Sequence, residues 1–77
     1  MNKDVQIRLD SIDKIRDFVN TVNRFKTDFD LSSGRYIIDA KSIMGIFSID
    51  LSRELTLTIH DSDEMPEIME AMKPYIV

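Results

Sequence analysis

The chain has 77 residues, no cysteine and a formal net charge of −4, which excludes disulfides, thiolate metal sites and cysteine nucleophiles and leaves no basic block for a nucleic-acid ligand. A chain this short buries only about 60–65% of the surface its unfolded form exposes, so residues 1–77 are read as one small domain with no room for a deep substrate cleft. No apolar run approaches the roughly 20 residues of a membrane span, and Met1 to Val5 lack the apolar stretch of a signal peptide, so a cytoplasmic protein is expected.

Val5, Ile7 and Leu9 alternate with Gln6 and Arg8, the period of a strand with one buried face. Asp10 and Ser11 stop it, and either can accept hydrogen bonds from the free N–H groups of a helix start. Ile12, Ile15, Phe18, Val19, Val22 and Phe25 then recur at helical spacing, with Lys14, Asp17, Asn20, Thr21 and Arg24 on the other face. This predicts an amphipathic helix over residues 12–25. Phe29 and Leu31, Asp28 and Asp30 alternate in a short strand. A turn at Ser32-Ser33-Gly34-Arg35 follows, and Tyr36 to Ala40 is rich in strand-favouring residues. The pair reads as a hairpin in which Gly34 is free to take positive φ.

Ser42 opens a short helix over residues 42–48, in which Ile43, Met44 and Phe47 share one side. Residues 54–60 form the clearest strand. Leu55, Leu57 and Ile59 point one way, and Thr56, Thr58 and His60 the other. Asp61-Ser62-Asp63 supplies caps for a last helix that turns Met65, Ile68, Met69 and Met72 inward. Pro66 is tolerated in its first turn, Glu64 and Glu67 sit near its positive end, and Lys73 near its negative end. The order is β-α-β-β-α-β-α. The packing expected is α+β: a four-stranded antiparallel sheet, covered on one face by helices, whose open face carries Gln6, Arg8, Thr56, Thr58 and His60.

This element order, together with Lys41-Ser42-Ile43-Met44-Gly45-Ile46-Phe47-Ser48, resembles HPr, the small phosphocarrier of the bacterial sugar phosphotransferase system. Ser-Ile-Met-Gly is similar to the Gram-positive form of that family, and Phe18-Val19 falls in the family's place in the first helix with no gap before Ser42. The resemblance implies the HPr-like open-faced sandwich. It also implies an active-site motif, Gly-apolar-His-small-Arg-Pro, that this chain lacks. Ser11 falls where the histidine belongs, Asp13 at the arginine and Lys14 at the proline. A phosphoserine ester is far more stable than the N–P bond of phosphohistidine and is a poor carrier. An arginine there would pair with phosphate oxygens, whereas Asp13 repels them and Lys14 offers only a flexible point charge. Ser11 is therefore expected to be a helix cap.

His60 has threonines as its expected neighbours on the open face, so an exposed strand histidine is expected rather than a catalytic group or a ligand. Asp28 with Asp30, and Asp61, Asp63 and Glu64, lack calcium-loop spacing and are read as solvated surface and caps. No metal and no cofactor are expected. The resemblance further implies that Ser42 matches a serine phosphorylated by a dedicated ATP-dependent kinase, after which the protein binds a transcription regulator. From the residues alone, Ser42 as a simple cap stays equally open. The resemblance makes Ile43, Met44 and Phe47 a partner-docking patch, and an adaptable methionine beside an aromatic suits one. Core packing is the other reading for Phe47 and the expected one for Ile46. The function expected is a non-enzymatic, HPr-like regulatory or adaptor protein. Its partners would be a serine kinase, a transcription regulator or phosphotransferase-system enzymes, with neither nucleic acid nor membrane among them. The alternatives are a phosphocarrier of the phosphoenolpyruvate-dependent system, or a structural, oligomer-forming domain.

Overall fold

The computed structural model describes residues 2–77. The elements run β1 (Lys3–Ile7), α1 (Ile12–Val22), β2 (Phe29–Ser33), β3 (Tyr36–Asp39), α2 (Ile43–Phe47), β4 (Leu55–Ile59) and α3 (Met65–Met72). The sheet order is β1-β4-β2-β3, and every neighbouring pair is antiparallel. Strand residues alternate between faces. Ile7, Leu55, Leu57, Ile59, Phe29 and Leu31 thus share one face, each at 1% exposure or less. They pack with Ile15, Phe18 and Val22 of α1, Ile46 of α2 and Ile68 and Met72 of α3 in one core. On the open face, Gln6 Nε2 donates to Thr56 Oγ1 at 3.0 Å and Thr58 Oγ1 to Asp4 Oδ1 at 2.7 Å.

The β2–β3 hairpin turns through Gly34 and Arg35, between the paired residues Ser33 and Tyr36. Gly34 has φ +58° and no other described residue has positive φ, the pattern of a two-residue type II′ turn.

Helix α1 is shorter than the periodicity predicts. It ends at Val22, and tighter turns follow, with Arg24 N–H donating to Thr21 C=O and Phe25 N–H to Val22 C=O. Phe25 still reaches the core from this loop, its ring 6.3 Å from that of Phe29. Burial periodicity alone cannot separate the two, because an apolar residue that packs from a turn keeps the helical spacing. Ile12, expected on the inward face, is 63% exposed. A helical side chain leans toward the N-terminus of its own helix, so at the first helical position it reaches beyond the packed turns. Leu9 is fully buried although β1 ends at Ile7, and Ala40 lies in a turn rather than in β3.

Helix α3 departs from the expected capping. Glu64 occupies the cap position without a side-chain cap bond, and Ser62 Oγ accepts from Glu64 N–H at 2.8 Å. The Glu64 carboxylate turns instead to the α1–β2 loop, where Oε1 accepts from Lys26 N–H and Thr27 N–H at 3.0 Å each and from Thr27 Oγ1 at 2.7 Å. The Thr27 and Ser62 hydroxyls share a further short hydrogen bond. Thr27 is the one buried polar residue among those described, and this network satisfies it. The bonds from Thr27, its hydroxyl first, hold the Glu64 carboxyl below its usual range.

Two outcomes follow for stability. Leu57→Ala should destabilise by about 2–5 kcal/mol, read from the urea midpoint, because the side chain is fully buried on the strand that both flanking strands pair with. The Glu64 contribution is present above the unfolded carboxyl value of about 4.3 and is lost as pH falls through the lower folded value. Glu64→Gln should therefore flatten the stability profile on the acid side of that value; an unchanged slope would mean the carboxylate does not carry the contact.

Candidate docking and phosphorylation site

Ser11 and Ser42 have the same local structure. Each is the extended residue before a helix, and each hydroxyl oxygen accepts the backbone N–H three residues on: Lys14 N–H at 3.1 Å, Gly45 N–H at 3.2 Å. Their surroundings differ. Asp13 lies in the first turn of α1, whereas α2 has no acid in its first turn. Lys14, three residues beyond Ser11, faces Asp10 at 3.7 Å. Lys41 beside Ser42 is also engaged. Its Nζ donates to Phe25 C=O at 2.7 Å and lies 5.8 Å from the centre of the Phe29 ring. Gly45 lets α2 settle on β3: an added Cβ would stand 3.3 Å from Ser42 Oγ and 3.4 Å from Ile38 Cδ1.

The side chains of α2 divide as helical spacing requires. Ile46 is fully buried, while Ile43, Met44 and Phe47 are 38%, 77% and 48% exposed. Phe47 and Leu51 meet Ser11, Ile12 and Ile15 along an open groove of about 220 Å³. Ser11 thus lines the same groove as Phe47, at one end of the α2 patch. The groove also adds Ile12, which the sequence reading had placed in the core.

His60 is not part of this surface. Ile7 pairs with Leu55 at one end of β4, the end from which the chain leaves for Ser11. His60 follows the other end, about 17 Å away along the strand at roughly 3.4 Å per residue. Its neighbours are not only threonines. Nε2 lies 2.8 Å from Asp30 Oδ2, and this hydrogen bond, with the charges of Asp30 and Asp28, raises the imidazole above its ordinary value. The partner was hidden in the sequence because the β2–β4 register, Asp30 opposite Thr58, joins residues far apart in the chain. Asp63 is exposed, Asp61 N–H is held by Asn2 Oδ1 at 3.1 Å, and Glu64 serves the loop network. Among the described residues no group of three or more His, Asp or Glu could hold a metal ion. No helix among them is long and apolar enough to cross a membrane.

A small antiparallel sheet in the order 1-4-2-3, covered on one face by helices and bearing capped serines at two helix starts, defines an open-faced sandwich of phosphocarrier type. The family model described as the phosphotransferase-system HPr component phosphorylation site matches residues 14–76, and the chain belongs to the HPr family. HPr-C-His from Thermoanaerobacter tengcongensis is 25% identical, with a TM-score of 0.78 over 94% of this chain and 88% of that one. The phosphocarrier protein HPr of Bacillus anthracis is 31% identical, with a TM-score of 0.68 over 100% and 96%. The catabolite-repression protein Crh of Bacillus subtilis, described as a domain-swapped, intertwined dimer, is 30% identical, with a TM-score of 0.60 over 88% and 76%. Curated proteins gave no match. This is therefore an HPr/Crh-like protein related to the phosphotransferase system. Such proteins are phosphocarriers or regulators rather than enzymes.

The His60–Asp30 pair has a direct check. With a raised folded value, its contribution is present below the unfolded value of about 6.5 and lost as pH rises through the folded value. In an NMR titration of this single histidine, Asp30→Asn should lower the midpoint; equal midpoints would mean that the pair does not form in solution.

Proposed function

We propose that this protein is a regulatory or adaptor member of the HPr family that does not relay phosphate, that Ser42 is its phosphorylation switch, and that Ile43, Met44 and Phe47, extended by Ile12, are its docking patch. The observation that carries the reading is a cluster of exposed apolar side chains beside two capping serines, with no imidazole among them. Three further features support it. Ser11 stands at the family's histidine position in the resemblance and caps α1. Asp13 opposes a phosphate there. The family model matches from Lys14 onward, beyond Ser11 and Asp13.

Ser42 suits a switch because it is exposed and starts a helix with no acid in its first turn. A phosphate adds charge of about −1.5 to −2 and strong acceptors beside the neighbouring apolar patch, changing what that patch can bind without unfolding it. The fitting partners are proteins: a serine kinase that modifies Ser42, a transcription regulator that reads the modified form, or phosphotransferase-system enzymes that dock on the patch. A cytoplasmic setting goes with such partners.

Intact mass tests this after incubation with ATP and an HPr-type serine kinase. One phosphate is expected on the parent and none on Ser42→Ala. A parallel incubation with phosphoenolpyruvate and the first enzyme of the phosphotransferase system should leave the mass unchanged. Acid-labile phosphate on His60 in that incubation would make the protein a carrier and overturn the reading.

A further inference from the structure

The two edges of the sheet are treated differently. Outside β1, the C-terminal segment closes the edge. Arg8 N–H donates to Tyr75 C=O at 3.0 Å, Val77 N–H donates to Gln6 C=O at 3.1 Å, and Ile7 bridges Ile76. The other edge, β3, has no such cover among the described residues, although it carries two of the most exposed large apolar side chains, Tyr36 at 71% and Ile37 at 70%. An uncovered apolar edge is a template for another strand.

The hydrogen-bonding phase of that edge is fixed. Ser33 and Tyr36 close a two-residue turn, so Tyr36 and Ile38 direct their backbone groups toward β2. Ala40 N–H, donating to Phe29 C=O at 3.0 Å, continues the same phase. Ile37 N–H and C=O, Asp39 N–H and Arg35 C=O therefore point away from the sheet. Asp39 C=O also points out, and accepts Ser42 N–H at 3.0 Å.

We propose that β3 is a homotypic interface, on which a second copy of this chain pairs antiparallel about a two-fold axis at Ile37. In that register Ile37 faces Ile37 of the second copy and the two exchange both backbone hydrogen bonds, while Asp39 N–H donates to Arg35 C=O. The flanking side chains then complement one another. The Arg35 guanidinium, which makes no ion pair or side-chain hydrogen bond among the described residues of its own chain, comes beside Asp39 of the second copy, and this happens twice by symmetry. The exposed apolar residues are covered as well. Ile37 packs on its counterpart across the open face, and Tyr36 packs on Ile38 across the helix face, where non-hydrogen-bonded pairs stand closest. A shift by one residue would put Ile37 on the wrong backbone phase and Arg35 away from Asp39, so charge and hydrogen bonding select one register. The strand is short, so the buried area is below that of a stable interface and the dimer is a weak one. It leaves Ser42 and the α2 patch outside the contact, and so stands or falls independently of the switch proposed above.

Charge exchange tests it in the full chain by sedimentation at roughly millimolar concentration, the range for a small interface. The parent should move from 9.0 kDa toward twice that mass as concentration rises. Arg35→Asp alone and Asp39→Arg alone should each stay monomeric, because each places like charges opposite one another. Mixing the two variants should restore the dimer, since both pairs are then complementary. That recovery also shows the variants are folded, which matters because Asp39 Oδ1 accepts Lys41 N–H at 2.9 Å in its own turn. A parent that remains monomeric, a dimer that survives either single exchange, or a mixture that fails to recover would each overturn the proposal.

Discussion

The fold depends on β4 lying between β1 and β2. Leu55, Leu57 and Ile59 are fully buried, and the register ties them to Val5 and Ile7 on one side and to Phe29 and Leu31 on the other. Among the described strands β1 pairs with β4 alone, its outer edge meeting only the C-terminal residues 75–77. It can join the sheet only after the chain has laid down α1, the β2–β3 hairpin and α2 and returned as β4. The contacts that define the fold are therefore long-range, and their closure entropy is offset only when the whole core forms at once. The same arrangement leaves β3 as an edge and puts His60 at the end of the sheet away from Ser11.

Two serines with nearly the same backbone role acquire different chemistry from their neighbours. Both accept the N–H three residues on, and both are exposed helix starts. At Ser11 the adjacent charges are Asp10 and Asp13, and the one close lysine is engaged with Asp10. At Ser42 the next residues are apolar and the helix is short, so that Ile46 is its one fully buried side chain while Ile43, Met44 and Phe47 stay partly exposed. A helix of five residues with one buried face cannot hide more than that. Its exposed apolar side is a consequence of its length as much as of its composition.

Polar groups in the remaining loops stabilise by being satisfied rather than by being numerous. Glu64 gathers the two N–H groups and the hydroxyl that the α1–β2 loop presents to it. This fastens the start of α3 to a loop far away in sequence. Lys41 does similar work across the core rim by donating to Phe25 C=O. The exposed pairs Lys73–Glu70 and Arg53–Asp50 are local and solvent-screened, and pairs of that kind add little. The contrast between a closed β1 edge and a bare β3 edge belongs to the same accounting of backbone groups. Where the chain returns, as at residues 75–77, its own N–H and C=O groups complete the ladder; where it does not, they face outward.

The element order, the inward residues of β4, the capping roles open to Ser11 and Ser42 and the positive φ of Gly34 were legible in the sequence. Each rests on local periodicity or on one residue's own chemistry. What the sequence could not supply was register and reach. It paired His60 with threonines because Asp30 becomes its neighbour only through the β2–β4 ladder. It buried Ile12 because periodicity ignores where a helix starts relative to the core. It gave Glu64 to the helix dipole although its carboxylate serves a loop thirty-seven residues earlier. Local pattern determines which face of an element is apolar. Only the assembled sheet decides which distant side chain stands opposite, because that depends on strand order and register, and neither is written in any short stretch of the chain.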